Sequence, residues 1–122
     1  MDIPSLKKHI IQDYSLIPLY DGMQDHKLIL ITAAGTIVGT PILKDDDDES
    51  ALSLAKMTAH YTSDYGEKYS LGDDFKALGN DGFLMIKNVE IINLNQKTHL
   101  PFLIVFFDQI IGVSIGDITR NS

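Results

Sequence analysis

Hydrophobic and polar positions divide the chain into β runs, two helical stretches and the connections between them. The strongest signal lies toward the C-terminal end. Phe83–Asn93 and Phe102–Ile115 are two β runs joined by the polar stretch Leu94–Leu100. In the first, Phe83, Met85, Lys87, Val89 and Ile91 fall on one side. Leu84, Ile86, Asn88, Glu90 and Ile92 fall on the other. The second begins at Pro101 and is apolar at every position from Phe102 to Phe107. A strand of that kind buries both faces, so each needs cover. Asp108-Gln109 then breaks the run before Ile110–Ile115 resumes it. Two polar residues suit a sharp corner between two short strands. They also interrupt the ~20 apolar residues that a membrane span requires.

Upstream, Ser5–Tyr14 reads as a short amphipathic helix. Ser5 is its cap, Pro4 precedes it, and Leu6, Ile10 and Tyr14, with Ile11, recur at helical spacing as its apolar positions. Pro18 and Asp21-Gly22 punctuate the connection from this helix to the first β run. Leu28–Ala33 and Thr36–Leu43 are β runs with a turn at Ala34-Gly35. Gly39 marks a bend or the close approach of another backbone, and Pro41 belongs at an edge, a bulge or a strand end. Ser50–Thr62 reads as a second helix, capped by Ser50, with Leu54, Met57 and Tyr61 as its stripe, Leu52, Ala55 and Ala59 beside it, and Gly66 as the stop. The residues from Glu67 to Asp81 read as loop, and Asp117–Ser122 as a polar tail.

At 122 residues the chain has room for one domain with a core and not for two. Net charge is −7, unevenly placed: residues 44–74 hold nine acids against three lysines, so this stretch alone is −6. A near-neutral body thus carries an acidic helical insert over residues 44–81. The insert's few apolar residues lie close together in sequence, which makes it separable from the body. There are no cysteines, so disulfides, thiolate chemistry and cysteine-based zinc sites are excluded. Met1–Leu16 has no signal-peptide core, and the expected location is cytoplasmic.

No catalytic or cofactor motif emerges. The acidic run Asp45–Glu49 lacks the alternating ligands and glycine turn of a calcium loop. His9, His26, His60 and His99 are scattered, with no pair at zinc-ligand spacing. Gly112 and Gly116 do not open a helix as a phosphate loop would, and nothing sets a base beside a nucleophile. The expectation is a protein without enzymatic activity, metal or cofactor.

The order helix, strand, turn, bent strand, strand, strand, corner, strand resembles the Sm-like small barrel, the fold of the Sm and Lsm RNA-binding proteins. The resembling stretches are Leu28–Leu43, Phe83–Ile92 and Leu103–Ile115, about a third of the chain. Within them, residues 84–89 resemble the family's third strand, and residues 108–111 the end of its second motif. The resemblance implies a mainly β fold: a small five-stranded SH3-like barrel with an N-terminal helix and a helical insert between strands two and three. It also implies closed rings, in which strand four of one subunit pairs with strand five of the next. A homo-oligomer of five to seven copies is implied by the same resemblance, with Phe102, Ile104, Val105, Phe106, Ile110 and Val113 at the interface.

The sequence departs from the family at its RNA contacts. By spacing, the base-contacting Asn falls on Phe83, the upstream Asp on Gly79, and the Arg-Gly pair on Phe106-Phe107. Phe83, Phe107 and Asp108 therefore stand where a ligand would be met. Acids in the insert and at the corner disfavour a phosphate backbone. The sequence points first to a ring-forming assembly module with a protein partner at the insert, and second to single-stranded RNA binding.

Overall fold

The computed structural model describes residues 5–20, 22–23, 26–42, 46–69 and 82–116. Pro4, Asp21, Leu43, Lys44, Asp45, most of the loop expected over 67–81 (residues 70–81, with Gly79) and the tail 117–122 lie outside the described residues. The elements are α1 (Leu6–Ser15), a 3-10 turn (Ile17–Leu19), β1 (Lys27–Thr32), β2 (Gly35–Pro41), α2 (Glu49–Lys68), β3 (Phe83–Asn93), β4 (Gln96–Phe106), a second 3-10 turn (Phe107–Gln109) and β5 (Ile110–Gly116). The fold is mainly β, a five-stranded sheet with two helices.

The strands run in the order β4-β3-β2-β1-β5, and every neighbouring pair is antiparallel. β4 and β5 are therefore the two edges, yet only Phe107–Gln109 separates them in sequence. Across a flat sheet of five strands the edges would stand about 19 Å apart. The chain from Phe106 to Ile110 spans at most about 14 Å. The sheet must curl until these edges approach each other at the corner. Among the described residues no ladder joins β4 to β5, so the curl is left open along that seam.

Two local devices bend the strands. Asn88 has φ 50° and Pro101 lies opposite it in the β3–β4 register. The inward positions change parity here in both strands: Leu84 and Ile86 give way to Val89 and Ile91 on β3, and Leu103 and Val105 come after Leu100 on β4. The alternation expected from Phe83 to Ile92 thus holds only as far as Lys87. On the other side of β3, the register with β2 shifts between Val38 and Thr40, beside Gly39. A Cβ on Gly39 would lie 3.1 Å from the Lys87 carbonyl oxygen, so glycine is what lets β3 approach.

The concave face holds the core: Leu28, Leu30, Ile37, Ile86, Val89, Val105, Phe107 and Ile110, joined by Ile11 from α1. Ile29 and Val38, paired across β1 and β2, are buried on the opposite face.

Several boundaries differ from the expected ones. The β1–β2 corner is Ala33-Ala34, and Gly35 (φ 139°) opens β2. The β3–β4 turn is only Leu94-Asn95, with Leu94 at φ 56°, so the polar stretch from Gln96 to His99 is already strand and Pro101 sits inside β4. An edge strand tolerates a missing N–H donor and exposed polar side chains. Asp48 caps α2 in place of Ser50, its carboxylate accepting the Ala51 N–H at 3.1 Å. The helix also runs through Gly66 to Lys68, because an interior glycine costs only about 1 kcal/mol relative to alanine.

Candidate functional site: two open edges and the helices beside them

α1 is capped as expected: Ser5 Oγ accepts the Lys8 N–H at 3.0 Å. Its buried face is inverted from the expected one except at Ile11. Ile11 turns inward together with Lys8 and Ser15, while Leu6, Ile10 and Tyr14 are exposed. The Lys8 amine lies 5.3 Å from the Phe107 ring centroid, a cation–π arrangement. A lysine stem can cover apolar surface as well as an aliphatic residue does, which is why the charge pattern misjudges this helix. Phe107 is itself buried, and its N–H donates to the Gly82 carbonyl at 3.0 Å.

α2 shows the same inversion. It buries Ala51, Ala55 and Gly66, whereas Leu54, Met57, Tyr61 and Tyr65 are exposed. Small side chains let the helix approach closely where it lies against β4. A second attachment is an ion pair between the Lys87 ammonium and the Asp46 carboxylate. The Asp46 side chain is fully buried, and Lys87 is only 17% exposed. Asp46 Oδ1 also accepts the Asp48 N–H at 3.0 Å, which shapes the turn that starts α2. A desolvated pair of this kind fixes geometry more than it adds stability. Lys87, alone among apolar neighbours in the first half of β3, was the available signal for a buried acidic partner. Nothing local pointed to Asp46.

The expected interface residues separate into two groups. Val105 and Ile110 are buried in the core, and Val113 packs against it. Their side chains serve the subunit's own interior and are not offered to a neighbour, because the inward parity of β4 and β5 claims them. Phe102 and Ile104, on the alternate positions of β4, are half-buried, and Phe106 is 53% exposed. These three remain at the open edge.

Of the expected ligand-facing residues, Phe107 is enclosed beneath Lys8 and cannot meet a ligand. Phe83 is half-buried and meets Phe106 edge-on, with ring centroids 5.8 Å apart. Asp108 is exposed at the corner, where its carboxylate accepts from Gln109 Nε2 at 3.4 Å. Phe83 and Phe106 thus come together, while Phe107 is buried under α1 and Asp108 is exposed at the corner.

Among the described residues no three His, Asp or Glu side chains converge as metal ligands, and no helix is long and apolar enough to cross a membrane. Comparison with protein-family models, curated proteins and solved structures finds no match to this chain.

Proposed function

We propose that this chain is a non-catalytic, Sm-like small-barrel module whose work is assembly: β4 of one copy adds to β5 of the next, and repetition closes a ring of five to seven subunits. The observation that carries this reading is the pair of open edges. β4 and β5 end the sheet on its two sides, and among the described residues each leaves a row of backbone groups without a strand partner. Natural edges are commonly blunted by lysine, proline or bulges. Lys97 and Pro101 blunt the first half of β4, but no lysine or arginine follows from Phe102 through the end of β5, and Phe106 stands exposed on β4. A strand–strand contact between unlike edges is heterologous, so it propagates until the rotation closes. The Sm-like resemblance supplies the expected subunit number.

RNA binding is the other activity that such a fold suggests, and the charges disfavour it. Asp46 is buried against Lys87, but Asp47, Asp48 and Glu49 are at least partly exposed where α2 begins, and Asp108 occupies the corner. Phosphate binding draws its affinity from cations that release counterions, and these positions present carboxylates.

Light scattering coupled to size exclusion tests the assembly. The expected mass is several times that of the 13.6 kDa chain. Phe106→Lys puts a charge on the exposed edge without entering the core, and the expected result is a smaller species. Lysine at Val105 or Ile110 would disrupt the interior and report on folding instead. A stable, soluble monomer of the unaltered chain overturns the proposal.

A further inference from the structure

Apart from Ile11, which enters the core, both helices leave a stripe of bulky apolar side chains exposed, and they do so beside different edges. α2 lies against β4, α1 against β5. On α2 the outward stripe is Leu54, Met57 and Tyr61, the last 62% exposed; on α1 it is Leu6, Ile10 and Tyr14, with Leu6 74% exposed. Spacings of three and four residues keep each stripe on one helix face. Their charges differ. With Lys8 turned inward, α1 offers Lys7 against Asp13, a net of zero. With Asp46 buried against Lys87, residues 47–69 carry five acids (Asp47, Asp48, Glu49, Asp64, Glu67) against Lys56 and Lys68, a net −3.

We propose that the α1 stripe of one copy seats on the α2 stripe of the next. This rests on the edge-to-edge assembly proposed above and names a second contact within it. When β5 of an incoming copy adds to β4, its α1 travels with β5 toward the edge where α2 stands. Each chain then contributes one stripe at each of its edges, so a single repeating contact covers both. The charges select this arrangement over α2 meeting α2, which would set two acidic segments against each other.

The chain has no cysteines, which permits single-site cross-linking. Ile10→Cys and Met57→Cys are made in separate, differently tagged chains, both at exposed positions. They are co-expressed and treated with a short bismaleimide, and light scattering of the unaltered chain is run alongside. The expected result is a cross-linked dimer carrying both tags, absent when either variant is expressed alone. A dimer formed by Met57→Cys alone would show α2 meeting α2 and overturn the proposal. Assembled protein without any cross-link overturns the helix contact and leaves the edge-to-edge ring standing. A monomeric unaltered chain removes the ring, and this contact with it.

Discussion

The sheet and α2 treat bulky apolar side chains in opposite ways. In the sheet, Leu28, Leu30, Ile86 and Phe107 go inward, and close packing around them holds the fold. In α2, Leu54, Met57 and Tyr61 go outward, while alanines and a glycine face in. Burying an alanine removes far less apolar surface from water than burying leucine or phenylalanine, at roughly 25 cal/mol per Å². The helix is held by close approach, by the Asp46–Lys87 pair and by its own capped turns. The sheet is therefore the source of the domain's stability, and α2 is a tethered element whose larger face is available.

Phe107→Ala gives the largest effect expected from this contrast. Phe107 is among the largest fully buried side chains, and its ring lies against the Lys8 amine; its backbone N–H, which donates to the Gly82 carbonyl, is kept in the variant. Truncation of a buried phenylalanine costs about 3–5 kcal/mol. Urea unfolding should show one cooperative transition moved to much lower denaturant. If the midpoint hardly moved, the core would lie elsewhere and the contrast with α2 would fail.

Lys87→Met is a smaller and more local perturbation. It leaves the Asp46 carboxylate buried without its cation, and breaking such pairs costs about 3–5 kcal/mol. The lower end is expected here, because the Asp48 N–H still satisfies one carboxylate oxygen, and because α2 can loosen while the sheet stays folded. Amide exchange should accelerate in α2 and remain slow in β1 and β3. Adding Asp46→Asn to Lys87→Met should recover most of the loss. Uniform acceleration across the sheet would show that the pair belongs to the main cooperative unit, and that the insert is not separable from it.

The range over which each feature acts decides whether the sequence reveals it. The β runs were legible because alternation and branched residues are local, and Gly39 and the Asp108-Gln109 corner marked real bends. The face change on β3 was not legible from alternation. It turns on one backbone conformation at Asn88, and Asn88 with Pro101 opposite is a signal only after the register is known. Both helices were legible as helices, although α2 is capped by Asp48 and runs on to Lys68, and apart from Ile11 and Ala55 the face expected of each is turned outward. Periodicity shows that Leu6, Ile10 and Tyr14 share a face; it does not show which neighbour takes that face. The sheet instead took Lys8 and Ile11 from α1, and Ala51 and Ala55 from α2. The same limit explains Val105 and Ile110: an unbroken apolar run does not say which half points in. The Asp46–Lys87 pair joins residues 41 positions apart, beyond the reach of any local pattern.

The smallest expected effect is the most discriminating. Met57→Gln with Tyr61→Gln replaces two apolar residues by a polar one of good helix propensity. If α2 docked through its bulky stripe, losing two such side chains would cost roughly 1.5–3 kcal/mol each, the value of fully burying one. The exposure of both positions predicts otherwise. Surface changes of this kind usually fall within about 0.5 kcal/mol. Unfolding of the dilute protein should therefore be unchanged, and amide exchange in α2 should match that of the parent. The effect should appear only in assembly, as a shift to smaller species at concentrations where the parent is oligomeric. Exposed residues can lose contacts on mutation only if a partner provides them, so stability and assembly should part company in this variant. A fall in stability that did not depend on protein concentration would place Met57 and Tyr61 inside the subunit and erase the difference between helix and sheet.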